Sequence, residues 1–204
     1  MEYNIDLTHH EKRIKEAREK LTRFEQEYYD DVLLLCKLGF EIYKKIDEFD
    51  NYEVSTFGRV RNVKSGRVLK PSINEKGYCY VDLRKNGKGK KMKVHRLVAI
   101  TFIPNSSNKR CADHINNNPA DNILSNVRWA THSENGMNAS ISSRNKSGTK
   151  GVHFNKQNNK WYVRIMIDGT SKHIGYFTNI DDAIKARQEK AKEIFGEFIN
   201  DCEI

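Results

Sequence analysis

The sequence predicts a modular α+β fold: an N-terminal helix, a small β module, a strand–loop–strand–helix core, and a C-terminal three-stranded sheet plus helix. Three observations carry that expectation. Apolar residues recur at helical spacing as far as about residue 45, the period drops to two from residue 50, and strand-like and helical segments then alternate to the end. The 204 residues are 37% hydrophobic and 31% charged, a balance that suits several small modules better than one large core.

Residues 8–45 contain no Pro and a single Gly, Gly39. Ile14, Ala17, Leu21, Phe24, Tyr28, Leu35 and Leu38 recur at 3-4 spacing, with Asp31 on the seam. This is the pattern of a long amphipathic helix or a helix pair within an N-terminal helical region, residues 1–47. The expectation is that the stripe packs within the chain; the alternative is a homodimer through this helix. A small basic β module, residues 48–93, follows. Its two extended pieces flank Ser55–Gly58, and SGRVLK behind Ser65–Gly66 reads as a further one. Cys79, Val81 and Leu83 alternate with polar neighbours as on a half-buried strand. Asn86-Gly87 signals a hairpin, with Met92 and Val94 on one face of the return. VHRLVAITF opens a core over residues 94–141 with a short helix that Pro104 must end. After the polar linker SSRNKSG come strand-like segments near 149–155, 160–167 and 171–177. A helix near 180–195 follows, with Gly196 as its stop, and these make up a last module at residues 147–200.

Charge divides unevenly among these pieces. Residues 1–50 hold 9 Lys/Arg against 13 Asp/Glu, residues 51–173 hold 23 against 7, and residues 174–204 hold 4 against 7. One strongly basic stretch between two mildly acidic ends is an electrostatic footprint for a polyanion, and nucleic acid is the leading class. No apolar run reaches bilayer length and the N-terminus lacks an apolar signal region, so a membrane or secreted protein is not expected. The cysteines at 36, 79, 111 and 202 form no Cys-x-x-Cys pair, which argues against a zinc ribbon or a disulfide scaffold. An intracellular protein, in cytoplasm or nucleus, fits them.

The stretch ADHINNNPADNILSNVRWATHSENGMN, residues 112–138, is the richest in chemistry. Asp113 and His114 end a short apolar piece before an Asn-rich loop, and Asn126 precedes the strand-like VRWAT. Thr131-x-x-Glu134 is a capping box that starts a helix with Asn135 on its first turn. Strand, loop, strand and helix bring Asp113, His114, Asn126 and Asn135 within reach of one another. Carboxylate and carboxamide oxygens suit Mg²⁺ or Mn²⁺ better than zinc, and two protein ligands leave room for water and phosphate. Histidine titrates near neutrality and can take a proton from water. A metal, a base and a phosphate held by cations meet the requirements of phosphodiester hydrolysis.

The stretch VHRLVAITFIPN…ADHINNNPADNILSNVRWATHSEN resembles the HNH endonucleases of the homing and phage type, over roughly residues 94–137. The resemblance implies a ββα-metal (His-Me finger) core. Asp113 and Asn135 would then hold a divalent metal, His114 would be the general base, and Asn126, the middle Asn of the motif, would hold the active-site loop. Asn135 stands where the motif has a histidine, which bears on the choice of metal. His132 is a rival ligand, but as the first helical residue it would point elsewhere. His95 reads as a support and Arg96 as a phosphate contact.

The stretch DEFDNYEVSTFGRVRNVKSGRVLKP resembles a small module commonly found ahead of HNH nuclease domains. Arg59 and Arg61 share a strand face there and are candidate DNA contacts, as is Lys93. Residues 147–198, with SGTKGVHF, NKWYVRIMI and HIGYF, resemble the plant APETALA/ethylene-response-factor DNA-binding domain. That likeness implies a sheet lying in the major groove. Trp161, Val163 and Ile165 would face the helix, while Tyr162, Arg164 and Met166 alternate towards DNA. His153, Asn155 and His173 stand where the plant proteins present Arg or Trp, and neutral His lacks the fork Arg offers guanine. The expected function is divalent-metal-dependent hydrolysis of double-stranded DNA, as a nick or a double-strand break, by a homing or mobile-element nuclease. It needs no membrane and no small-molecule cofactor beyond the metal. The alternative is a sequence-specific DNA-binding regulator with a non-catalytic HNH scaffold.

Overall fold

The computed structural model describes residues 7–204, with side chains within the first helix described from residue 12. Residues 1–6 of the expected helical region lie outside the described residues. The chain divides into two compact units, residues 1–108 with 119–128 and residues 109–118 with 129–204.

In the first unit, α1 (Leu7–Lys37) runs without Pro or Gly as one helix rather than a pair. Its apolar stripe does not pack as expected: Ile14, Leu21, Phe24, Leu35 and Leu38 are exposed, and Val32 and Cys36 enter the core instead, with Tyr29 and Leu33 partly buried beside them. The reason is on the seam. Burying the expected stripe would take the Asp31 carboxylate out of water, whereas the Tyr29–Cys36 face carries no charge at its contact positions. β1 (Tyr43–Ile46), β2 (Phe49–Ser55) and β3 (Val60–Asn62) form an antiparallel sheet in sequence order, and β4 (Ser72–Ile73), β5 (Cys79–Lys85) and β6 (Lys88–Lys93) form a second. The inward residues Cys79, Val81 and Leu83 of β5 are buried as their alternation requires. Asn86 and Gly87 both take positive φ, 52° and 76°, which makes the two-residue turn whose twist matches the flanking strands. SGRVLK makes only an isolated bridge, Arg61 to Val68, rather than a strand. Pro71 follows with no N–H to extend the ladder. α2 (Val94–Phe102) packs Val94, Leu97, Val98 and Phe102 into the core and stops at Ile103, whose extended backbone the following Pro104 enforces.

Residues 119–128 are fastened to the β2–β3 turn. The Leu124 N–H donates to Thr56 O at 2.7 Å and the Leu124 side chain is fully buried. Gly58, at φ +75°, lies so close to Asn122 that a Cβ would stand 2.7 Å from Asn122 Cβ and 2.9 Å from its carbonyl oxygen.

The second unit begins with β7 (Cys111–His114), paired with β8 (Val127–Ala130), whose second half belongs here, and continues into α3 (His132–Asn138). β9 (Val152–Asn155), β10 (Lys160–Ile167) and β11 (Thr170–Phe177) form an antiparallel sheet with β10 central, and α4 (Ile180–Phe195) packs on it. Val163 and Ile165 of β10 meet Ala183, Ala191 and Phe195 of α4, with Trp161 partly buried at the edge of the same cluster. The small alanines let helix and sheet approach closely. Two short 3-10 turns, Gly196–Phe198 and Asp201–Glu203, close the chain. Glu203, fully buried, pairs with the buried Arg187 of α4 and with Lys150 at 3.3 Å. No described helix is long and apolar enough to cross a membrane.

Gly58→Ala meets both a strained φ and a wall of backbone. It is expected to lower stability by about 1–3 kcal/mol, read as a shift in a urea-unfolding midpoint at unchanged slope.

Candidate active site

The local chemistry of the β7–α3 segment sets the site. β7 ends with Asp113 and His114, which are 6% and 5% exposed, an unusual depth for two polar side chains. The following Asn-rich loop turns on its own amides: Asn117 N–H donates to His114 O at 3.0 Å, and Asn118 N–H to Asn116 Oδ1 at 2.9 Å. The capping box is present. Glu134 N–H donates to Thr131 Oγ1 at 3.2 Å, and Thr131 N–H to Glu134 Oε2 at 2.6 Å. Burial alone would raise the Glu134 carboxyl, but the Lys109 ammonium at 2.8 Å and the Thr131 hydrogen bonds outweigh it and hold the group below its ordinary value. This depressed carboxyl stabilises the fold above its unfolded pKa, and that contribution is lost as the pH falls through the folded value.

So capped, α3 presents Asn135 on an exposed face and Asn138 inward, 2% exposed. Asn138 does what sequence reading missed. Its Nδ2 donates to Asp113 Oδ2 at 3.0 Å and to His114 O at 2.9 Å. One carboxamide therefore holds both the carboxylate and the backbone of the two candidate catalytic residues. The available signal was its position three residues after Asn135 on the same short helix.

The structure brings Asp113, His114 and the helix of Asn135 into one unit. Asn126 lies in the other unit, where it is buried. Its Nδ2 donates to Asp121 O at 2.8 Å and its N–H to Ile123 O at 2.9 Å, so it closes the 121–126 loop on itself. Among the described residues no three His, Cys, Asp or Glu side chains gather into a metal cage. The donors that could hold an ion are the Asp113 carboxylate and the Asn135 carboxamide, hard oxygens that fit a cation sharing its shell with water and phosphate. His132 faces Cys111, with Nδ1 3.3 Å from Sγ.

The candidate DNA contacts fall in several settings. Arg59 precedes β3 and its guanidinium pairs with Glu41; Arg61 pairs with Glu53 at 2.8 Å and lies over the Tyr43 ring. Lys93 sits over the Tyr78 ring, His95 is buried beside that ring, and Arg96 is exposed on α2. On the sheet of the second unit, the strand register puts His153 and Asn155 of β9, Tyr162, Arg164 and Met166 of β10, and His173 of β11 on the face opposite α4. His173 stacks on Tyr162, rings 5.0 Å apart and 9° from parallel. Burial and then the nearby Arg164 charge push the His153 imidazole below its ordinary value.

The chain is 36% identical over 127 residues to the DNA endonuclease I-HmuI of Bacillus phage SP01, spanning 60% of this chain and 70% of that protein. The chain belongs to the HNH endonuclease family. Other HNH endonuclease relatives include the uncharacterized L245 and L247 of Acanthamoeba polyphaga mimivirus. Each is 41% identical, over 111 and 104 residues, or 54% and 48% of this chain. The chain spans only 33% and 26% of those two mimivirus proteins. Residues 41–84 match the NUMOD4 motif. A solved structure described as DNA binding and cleavage by the HNH homing endonuclease I-HmuI aligns at 31% identity over 76% of this chain and 83% of that one, with a TM-score of 0.47.

Thr131→Ala removes the cap that orients this HNH helix. It is expected to cost about 1 kcal/mol, with Thr131→Ser restoring most of it, in thermal unfolding followed by circular dichroism.

Proposed function

We propose that this HNH endonuclease-family chain hydrolyses phosphodiester bonds of double-stranded DNA, as a nick or a double-strand break, in a homing or mobile-element setting. The observation that carries the proposal is the buried Asp113–His114 pair at the end of β7, held by Asn138 from the helix that also bears Asn135. Asp113 and Asn135 would hold a Mg²⁺ ion, or Mn²⁺ in its place. When bound, the ion supplies electrostatic stabilisation of the charge that develops on the phosphate and on the leaving 3′ oxygen. His114 takes the proton from the attacking water, and its backbone carbonyl, tied to Asn138, keeps the imidazole in place for that transfer. Asn126 holds the loop 121–126 through its bond to Asp121 O.

The nuclease core, residues 94–141, is preceded by the basic module at 48–93. It is followed at 147–200 by an APETALA/ethylene-response-factor-like module that reads DNA with the face bearing His153, Asn155, Arg164 and His173. The basic sheet half supports this, with 7 Lys/Arg against 1 Asp over residues 144–173. Arg96 and Lys93 add phosphate contacts, and Arg59 and Arg61 do so on exchanging their present carboxylate partners for phosphates. Four free thiols agree with work inside a cell.

Supercoiled plasmid carrying a cut site is expected to be cleaved with Mg²⁺ and left intact with EDTA. His114→Ala is expected to slow cleavage by about 10²–10⁴-fold. Asp113→Ala should abolish cleavage while DNA affinity, carried by Lys and Arg, stays near wild type in a gel-shift titration. Cleavage that survives in His114→Ala removes the proposed base.

A second copy of the chain is the partner we assign to the exposed stripe of α1. In an antiparallel pairing centred between Leu21 and Phe24, Arg18 of one copy meets Glu25 of the other, and Lys20 meets Glu27. Sedimentation equilibrium is expected to show a dimer that Leu21→Asp/Phe24→Asp converts to monomer; a monomeric wild type refutes the pairing.

A further inference from the structure

α3 is seven residues long, too short to hold itself, yet it bears two of the carboxamides nearest the proposed chemistry. Its C-terminal end is fastened from far along the chain. Lys150 Nζ donates to Met137 O at 2.8 Å and to Ala139 O at 2.7 Å, and Asn200 Nδ2 donates to Asn138 O at 2.7 Å. Asn200 Nδ2 also lies 3.4 Å from Asn138 Oδ1, which receives Asn117 Nδ2 at 3.3 Å. Asn138 therefore has two donors on its oxygen side and two acceptors, Asp113 Oδ2 and His114 O, on its nitrogen side. A flipped carboxamide would set oxygen against oxygen and nitrogen against nitrogen, so only one orientation survives. Asn200 is itself sorted, because its Oδ1 accepts the Cys202 N–H at 3.1 Å and that leaves Nδ2 for Asn138. The tail that carries it is anchored by buried Glu203 on Arg187 and Lys150.

We infer that Asn200 is a positioning residue for the active site, the outer member of a polarised carboxamide relay that fixes the Asp113 carboxylate and the His114 backbone through Asn138. The C-terminal sheet–helix module thus supplies part of the scaffold of the metal site as well as a surface for DNA. The inference rests on the proposed roles of Asp113 and His114. It assigns the last turns of the chain to positioning the site.

Asn200→Asp is the discriminating variant in the 204-residue chain. It keeps size and shape and the acceptor for Cys202 N–H, a cap that Asp supplies as well as Asn, but it replaces the donor that faces Asn138 with a second oxygen. Three measurements are made: Mn²⁺ affinity by electron paramagnetic resonance, single-turnover cleavage on saturating DNA, and DNA affinity in EDTA. Asn200→Asp is expected to weaken Mn²⁺ binding about tenfold and slow the single-turnover rate about tenfold, with DNA affinity unchanged. Asn200→Ser keeps the cap without the reach or the charge and is expected to show the same pattern, so a fold defect peculiar to one variant cannot mimic the result. Wild-type Mn²⁺ affinity and rate in both variants overturn the relay. Equal losses in DNA affinity and in thermal stability, with Mn²⁺ affinity retained, overturn it in favour of a structural role. Asp113→Ala separates the two levels. If it abolishes Mn²⁺ binding while the Asn200 variants do not weaken it, only the relay fails; if it leaves Mn²⁺ binding intact, the site reading fails and the relay with it.

Discussion

One flat polar group organises the second unit. The Asn138 carboxamide lies almost wholly out of water, with the Asp113 carboxylate and the His114 carbonyl on one side and the Asn117 and Asn200 amides on the other. Leaving a buried polar atom unmatched costs about 1–3 kcal/mol, so a single rotation of this side chain would set several penalties at once. That leaves the carboxamide a single orientation. In its proposed role as a metal ligand Asp113 needs such external fixing, because an ion with few protein ligands does little to orient the ones it has.

The short helix behind this group is held from both ends by charges drawn from elsewhere in the chain. At its start, Lys109 reinforces the Glu134 half of the cap; at its finish, Lys150 takes two carbonyls that the helix cannot satisfy internally. Lys150 in turn belongs to a buried ion cluster with Glu203 and Arg187. Removing these charges from water is expensive and adds little net stability, so the cluster is better understood as fixing where the C-terminal turns dock. The guanidinium is pushed down by burial even though Glu203 and Cys202 favour its charged form.

Features that are local in sequence were legible, and those that depend on distant partners were not. The Thr131 cap, the Asn86-Gly87 turn and the alternation of Val163 and Ile165 with Tyr162 and Arg164 are set by neighbours a few residues apart, so pattern reading reached them. The position of Asp113 and His114 at the end of a short strand was legible for the same reason. The buried face of α1 was misread because two adjacent stripes compete, and an uncharged seam won over a longer one interrupted by Asp31. Arg187 reads from sequence as a solvated helical charge; only Glu203, sixteen residues on and across a turn, accounts for its burial. Asn138 has only its spacing from Asn135 to announce it, and Asn200, 62 residues further on and of a residue type that usually sits at the surface, has no short-range signal.

The division of the chain carries a consequence for its inheritance. The backbone passes between the two units at 108–109, 118–119 and 128–129, so neither unit is a continuous stretch of sequence. Modules strung like beads can be exchanged by one crossover in a linker. These two cannot, since any single splice in residues 109–128 pairs half of one unit with half of another lineage's. A single crossover anywhere in the chain therefore divides at least one unit, and one within residues 109–128 divides both.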